Sequence, residues 1–201
     1  VFYTFLIWIL STIARMGAFF HVKTALWVGG RTHWEMALAE IDSSERPVWF
    51  HCASVGEFEQ ARPVIEKIKR ELVGSEVVVT FFSPSGFEFL KSYPLADVVT
   101  YLPTDLPRNV DAFLNKLNPS VVVFVKYEFW LNFMKAISNR SIASTLICAD
   151  FPKNYSLLKW PGVLIGRRLN QFTKIFAQNA ETKSQLNLIG MSNVSVAGDT
   201  R

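Results

Sequence analysis

Seven short runs of β-branched and aromatic residues, recurring about every thirty residues, constrain this chain more than any other feature. They are PVWFHC (47–52), EVVVTFF (76–82), DVVTYL (97–102), SVVVFV (120–125), IASTLICA (142–149), TKIFAQ (173–178) and NVSVAG (193–198). Several are apolar throughout instead of alternating, the pattern of strands covered on both faces. Helical patterns fill the gaps near 59–72, 84–93, 107–117, 129–138, 157–171 and 181–189. This beat predicts an α/β fold, an open Rossmann-like parallel sheet with helices on both sides. Ligands of such sheets bind beyond the carboxyl ends of the strands, so chemistry is expected in the loops that follow strands.

At 201 residues the chain can bury one full core and carry an appendage. Half its residues are hydrophobic and 14% are aromatic, which excludes disorder. Its two cysteines, Cys52 and Cys148, are far apart, and its three histidines are scattered. No disulfide framework and no metal-ligand spacing follows from that pattern, and no motif demands a metal. The opening VFYTFLIWILSTIA has no charge before Arg15, and the apolar run resumes beyond it until Lys23 and Arg31. Residues 1–30 are therefore read as a membrane-anchoring or interfacial segment with a cytosolic basic flank, the alternative being an amphipathic helix packed on the domain. Residues 31–46 read as a polar connector and 47–201 as the Rossmann-like domain.

Three loops carry candidate residues. After the first strand, HCASVGEFE brings Ser54, Gly56 and Glu57 to a helix start. Gly56 is expected to supply a backbone conformation that other residues resist. Pro63 suits a first turn, so the helix is expected to begin a few residues beyond Glu57. The helix dipole there favours an ionised carboxylate, as a general base requires, although a charge that only complements the dipole reads identically. After the second strand, Ser83, Pro84, Ser85 and Gly86 form a hydroxyl-rich turn, either a plain N-cap or a cradle for a phosphate or sugar hydroxyl. After the fourth strand, Lys126 and Glu128 emerge beside Trp130. Neither GxGxxG nor a P-loop is present.

From Lys153 to Lys174 the chain holds Lys153, Lys159, Arg167, Arg168 and Lys174 and no acid, with Tyr155 and Trp160 interleaved. Such a stretch suits anionic lipid headgroups. No nucleic-acid motif accompanies it, and no nucleic acid is expected as a partner.

Together these loops resemble one family, the 3-deoxy-D-manno-octulosonic acid (Kdo) transferases of lipopolysaccharide synthesis. HCASVGEFEQARPVI is similar to the family's His-x-x-Ser-Val/Ile-Gly-Glu signature with its following Pro, and SPSG to its Thr/Ser-Pro-x-Gly turn. YLPTDLPRNVDAFLNKLNPSVVVFV, EFWLN and AQNAET resemble further family elements in the same order, so the likeness covers nearly the whole chain. Lys126, Tyr127 and Leu131 stand where the family has an acid, Thr and Pro. CADFPKN departs from Asn-Ala-Arg-x-Ser, and Ala180 replaces a Glu.

The resemblance implies the amino-terminal, acceptor-binding half of a two-domain GT-B glycosyltransferase at the cytoplasmic face of the bacterial inner membrane. The donor would be CMP-Kdo, bound mainly by a carboxyl-terminal half, the acceptor a lipid A precursor, and no cofactor would be used. Glu57 would be the base of a direct, inverting, metal-independent displacement. Ser54, Gly56, Ser83, Ser85 and Gly86 would shape the acceptor pocket, and Glu128 would orient Glu57's surroundings or a sugar hydroxyl. Lys153, Arg167 and Arg168 would hold lipid phosphates. The alternatives are a lipid-binding module without chemistry, and another GT-B or sugar-nucleotide epimerase-type enzyme.

Overall fold

The computed structural model describes residues 2–42, 44–151 and 162–201. All seven expected strands form: Val48–Cys52 (β1), Val77–Phe81 (β2), Val98–Tyr101 (β3), Val121–Val125 (β4), Ala143–Ala149 (β5), Lys174–Ala177 (β6) and Val194–Val196 (β7). They pair in parallel in the order β3-β2-β1-β4-β5-β6-β7. The order reverses between β1 and β4, where the two neighbouring crossovers leave in opposite directions and open a crevice at the carboxyl edge.

The continuous apolar runs are explained by cores on both faces. On one face Trp49, Val78, Val122, Phe124 and Leu146 meet Pro107–Leu117 (α6), Leu131–Asn139 (α7) and Ala180–Leu188 (α9) through Phe113, Phe133, Ile137 and Leu186. On the other, Phe50, Val79, Phe81, Val123 and Ile147 meet Val55–Glu71 (α4) and Pro84–Leu90 (α5) through Phe58, Ile65 and Leu90. Trp49 is fully buried between Phe113, Phe124 and Phe133, with ring centroids 5.0, 5.8 and 5.5 Å away. Truncating such a side chain to alanine costs about 3–5 kcal/mol. Gly162–Leu169 (α8) precedes β6, while residues 157–161 of the helix expected over 157–171 lie outside the described residues.

The amino terminus folds back as two helices, Phe2–Gly17 (α1) and Val22–Gly30 (α2). Among the described residues no helix is long and apolar enough to cross a membrane. The polar side chains of α1 hold it to the domain: Tyr3 Oη donates to Asp105 and Thr4 Oγ1 to Asn132, while Ser11 is buried. Phe2, Phe5, Trp8, Leu10, Ile13 and Met16 face outward, and Phe19 and Phe20 at the bend are 87% and 83% exposed. The segment 31–46 is no polar connector. It contains the helix Trp34–Ala37 (α3) and a 3-10 turn at Leu38–Glu40, and it inserts Trp34 and Leu38 into the core.

Candidate active site

Glu57 reaches the carboxyl edge on the first turn of α4. Ser54 is the N-cap with extended backbone, so Glu57 is the third helical residue, and the start falls earlier than Pro63 implied. Pro63 sits mid-helix on an exposed position, where water can take the carbonyl that its missing N–H leaves free. The spacing Ser54-x-x-Glu57 is that of a capping box. Glu57 reaches back to accept from the backbone N–H groups of Ala53 and of the N-cap Ser54, whereas the Ser54 side chain makes no capping bond. Gly56 needs no special backbone conformation here. It is helical and exposed, and a Cβ on it would find only Ser54 Oγ, 4.0 Å away, so open space lies above this helix start.

The Glu57 carboxyl is half-buried, and its pKa rises from 4.5 to about 7, first through burial and then through the charge of Glu128. The amides of Ala53 and Ser54 and the Lys126 ammonium oppose that rise without cancelling it. The freely ionised carboxylate expected from the helix dipole is thus replaced by one poised between its two forms. Burial also pushes the Cys52 thiol well up, with help from Glu57 and Glu128, so Cys52 stays protonated.

Glu128 arrives from the loop after β4, across the switch point, and is 8% exposed. Its Oε2 lies 2.9 Å from His51 Nε2 and 2.5 Å from Trp130 Nε1. His51, fully buried on β1, contacts Thr80 Oγ1 through Nδ1 at 2.9 Å, and Thr80 accepts from Trp49 Nε1 at 2.8 Å. The donors and acceptors close when His51 Nε2–H and the Trp130 indole both donate to Glu128 and the Thr80 hydroxyl donates to Nδ1. The result is a buried line of polar contacts from the core to the rim, holding Glu128 behind Glu57. The sequence reading found Glu128 but missed His51, Thr80 and Asp105, although His51 opens the HCASVGE motif. Lys126 begins this loop in a left-handed conformation, φ 65°, its N–H bonded to Ile147 O.

In the neighbouring loop Ser83 caps α5, accepting from Gly86 N at 3.0 Å, and Ser85 Oγ lies 3.2 Å from it. Gly86 is required by packing, because a Cβ would come 2.7 Å from Phe81 Cδ1. Ser85 borders a groove of about 520 Å³ whose far wall carries Lys23, Leu26 and Trp27 from α2. Ser54, Gly56, Glu57, Ser83, Ser85, Gly86 and Glu128 thus share the carboxyl edge of β1, β2 and β4. Arg167 and Arg168 do not join them. They occupy the last turn of α8, which leads to the amino end of β6, where Thr173 Oγ1 accepts from Ser144 N near the start of β5. Helices between parallel strands run back to the strands' starting edge, and that carries this pair to the rim opposite Glu57. Lys153 lies outside the described residues.

A switch-point carboxyl with its pKa near neutrality, beside an open helix start, is equipped to take a proton from a hydroxyl. Comparison with known proteins agrees in family. The profile of the family described as 3-deoxy-D-manno-octulosonic-acid transferase (kdotransferase) matches residues 31–201. The Chlamydia pneumoniae 3-deoxy-D-manno-octulosonic acid transferase is 36% identical over 119 residues, covering 56% of this chain and 27% of that protein. The Haemophilus influenzae enzyme of the same name is 28% identical over 156 residues, covering 71% and 36%. The chain therefore spans only about a quarter to a third of these relatives. Among solved structures, the Neisseria meningitidis UDP-GlcNAc 2-epimerase shares the fold with a TM-score of 0.56 at 18% identity, over 77% of this chain and 46% of that one. On the profile match and the ordered site motifs, the chain belongs to the 3-deoxy-D-manno-octulosonic-acid transferase family.

Proposed function

We propose that this chain is the acceptor-binding half of a glycosyltransferase that moves Kdo from CMP-Kdo to a lipid A precursor. The observation that carries the reading is Glu57, half-buried at the β1/β4 switch point with its pKa raised to about 7. A base of that strength accepts a proton at neutral pH and returns it readily. In this reading the acceptor hydroxyl loses its proton to Glu57 as its oxygen attacks the anomeric carbon of the donor. The bond from that carbon to the CMP phosphate oxygen breaks, and CMP leaves with the bonding electrons. One displacement inverts the anomeric centre. No metal is assigned to the step, since the base and the departing phosphate balance it; chelator-insensitive turnover is the expected result.

The groove beside Ser85 would receive the acceptor, and the outward face of α1 and the bend at Phe19 and Phe20 would lie in the membrane surface. Burying such side chains is worth about 1.5–3 kcal/mol each when complete, enough for several together to hold a peripheral protein. The same face supports the second reading, a lipid-binding module without chemistry. Glu57→Gln in the full-length enzyme separates the two. Transfer falling by roughly 10²–10⁴-fold with acceptor binding retained supports catalysis. Wild-type turnover in that variant removes Glu57 from the role.

A further inference from the structure

Arg31 is a buried cation with no acid in ion-pair contact among the described residues. It is 8% exposed, at the end of α2, and its face is covered by Trp27, Phe82 and Tyr101, whose ring centroids lie 3.9, 4.8 and 5.3 Å from Cζ. A guanidinium between rings donates only at its rim. Two of its five N–H groups go to the carbonyls of Trp27 and Phe82, at 2.9 and 2.8 Å. Among the described residues no carboxylate lies within ion-pair distance of it, and burial pulls its pKa down to about 9. Buried charges are ordinarily paired, because desolvation alone costs several kcal/mol. The aromatic cage offsets part of that cost and leaves its net charge uncompensated.

A cavity of about 150 Å³ adjoins it, between α1, α2 and the loop after β3. By volume it would hold about five waters, room enough for one phosphate group. Its wall contains Arg15 from the last turn of α1, Arg31, Thr104 and Asn109 and, among the described residues, no acidic one. Asp105, next in sequence to Thr104, is committed to Tyr3 and to the start of α7. Ser11 and Thr32 also border the space but spend their hydroxyls on the carbonyls of Ile7 and Gly29. Asn109 gives one amide hydrogen to Thr104 O, which leaves its second one and the Thr104 hydroxyl to the cavity.

We propose that this cavity binds a phosphate monoester, with Arg31 and Arg15 as its cations and Thr104 and Asn109 as its neutral donors. The group completes the charge balance that the protein leaves open at Arg31. It also joins the amino-terminal hairpin to the sheet edge, since Arg15 belongs to α1 and Thr104 to the loop after β3. The assignment is independent of Glu57's role and of the identity of the transferred sugar. The phosphate can come from a lipid headgroup or from solution, and the hairpin's position at the rim makes both reachable.

The test uses the full-length protein and two probes: inorganic phosphate titrated at constant ionic strength, and phosphatidylcholine vesicles containing either phosphatidic acid or phosphatidylglycerol. Saturable phosphate binding is expected, weakened at least tenfold by Arg31→Gln, Arg15→Gln or Thr104→Val and unaffected by Lys67→Gln on the exposed face of α4. If Arg31→Gln does not fold, the two milder variants decide. Preference for phosphatidic acid over phosphatidylglycerol, lost in Arg15→Gln, identifies a headgroup. Saturation by free phosphate without that preference identifies a soluble ligand. The proposal fails if neither probe saturates, or if folded Arg15→Gln and Thr104→Val bind as the wild type does.

Discussion

The Tyr3 hydroxyl donates to Asp105 Oδ2 at 2.7 Å, joining residues 102 positions apart. Asp105 is 1% exposed, and the same carboxyl accepts from the backbone N–H groups of Asn132 and Phe133 at 3.1 and 2.9 Å. One side chain thereby caps α7, whose own N-cap Trp130 has no capping oxygen, and fastens α1 to the sheet edge. Tyr3→Phe is expected to lower stability by about 1 kcal/mol, the net worth of one hydrogen bond. Asp105→Ala strands two helix-end amides and the hydroxyl together, and about 3 kcal/mol is expected. Urea unfolding of both variants distinguishes the two magnitudes.

The Glu57 carboxyl rises from 4.5 when unfolded to about 7 when folded, so it shapes stability. The folded state holds the proton more tightly. The stabilisation this contributes is complete below pH 4.5 and disappears as pH climbs through 7. Glu57→Gln should flatten that portion of the stability curve, and the wild type should lose ground to the variant above pH 7. Chemical denaturation at a series of pH values reads this directly.

On the proposed mechanism, transfer rises with pH as Glu57 ionises, with an inflection near 7. Glu128→Gln removes the second cause of the shift and leaves burial, the first. The inflection of kcat/KM should move to lower pH without reaching 4.5. An inflection that stays in place in this variant would dissociate Glu128 from the base.

The two glycines of the site loops should respond in opposite ways. Gly86→Ala brings a methyl within 2.7 Å of the Phe81 ring, and overpacking of this kind costs about 1–3 kcal/mol. Gly56→Ala meets nothing closer than 4.0 Å on an exposed helical turn and should gain up to about 1 kcal/mol. Its methyl nevertheless stands at the mouth of the proposed acceptor site, so KM should rise while Tm rises too.

The sheet was legible because its strands are buried on both faces and therefore unbroken in hydrophobicity; each expected run contains its strand. The first turn of α4 was not, because Pro63 pulled the expected start forward, while the Ser54-x-x-Glu57 spacing that marks the true one went unused. Gly56 was assigned a backbone role it does not have, whereas Gly86 proved indispensable through contact with Phe81, a side chain five positions earlier. His51 hid inside an apolar strand. Asp105 could not be recognised as a cap, since its helix begins some 26 residues later and only the fold brings them together. Hydropathy found the apolar amino terminus but could not say which stripe faces the domain; Tyr3 and Thr4 decide that.

If the hairpin lies in a membrane surface, single charges placed on its outward face should weaken vesicle association and leave the fold intact. Phe19→Glu and Phe20→Glu alter side chains that are 87% and 83% exposed, so unfolding midpoints should hold. Each should reduce partitioning roughly tenfold, the equivalent of about 1.4 kcal/mol. Vesicle flotation and thermal melting on the same samples check both halves of the expectation.

Three polar ties of the hairpin, Tyr3 to Asp105, Thr4 to Asn132 and Arg31 to the Phe82 carbonyl, land just beyond the strands' carboxyl ends, on the loops after β3 and β2 and on the first turn of α7. The greasy exterior and Glu57 are thus mounted on one rim. On the proposed function, an enzyme built this way would not need to extract its target from a bilayer into water. Its encounter with a headgroup becomes a search over a plane, in which orientation is settled before any collision occurs.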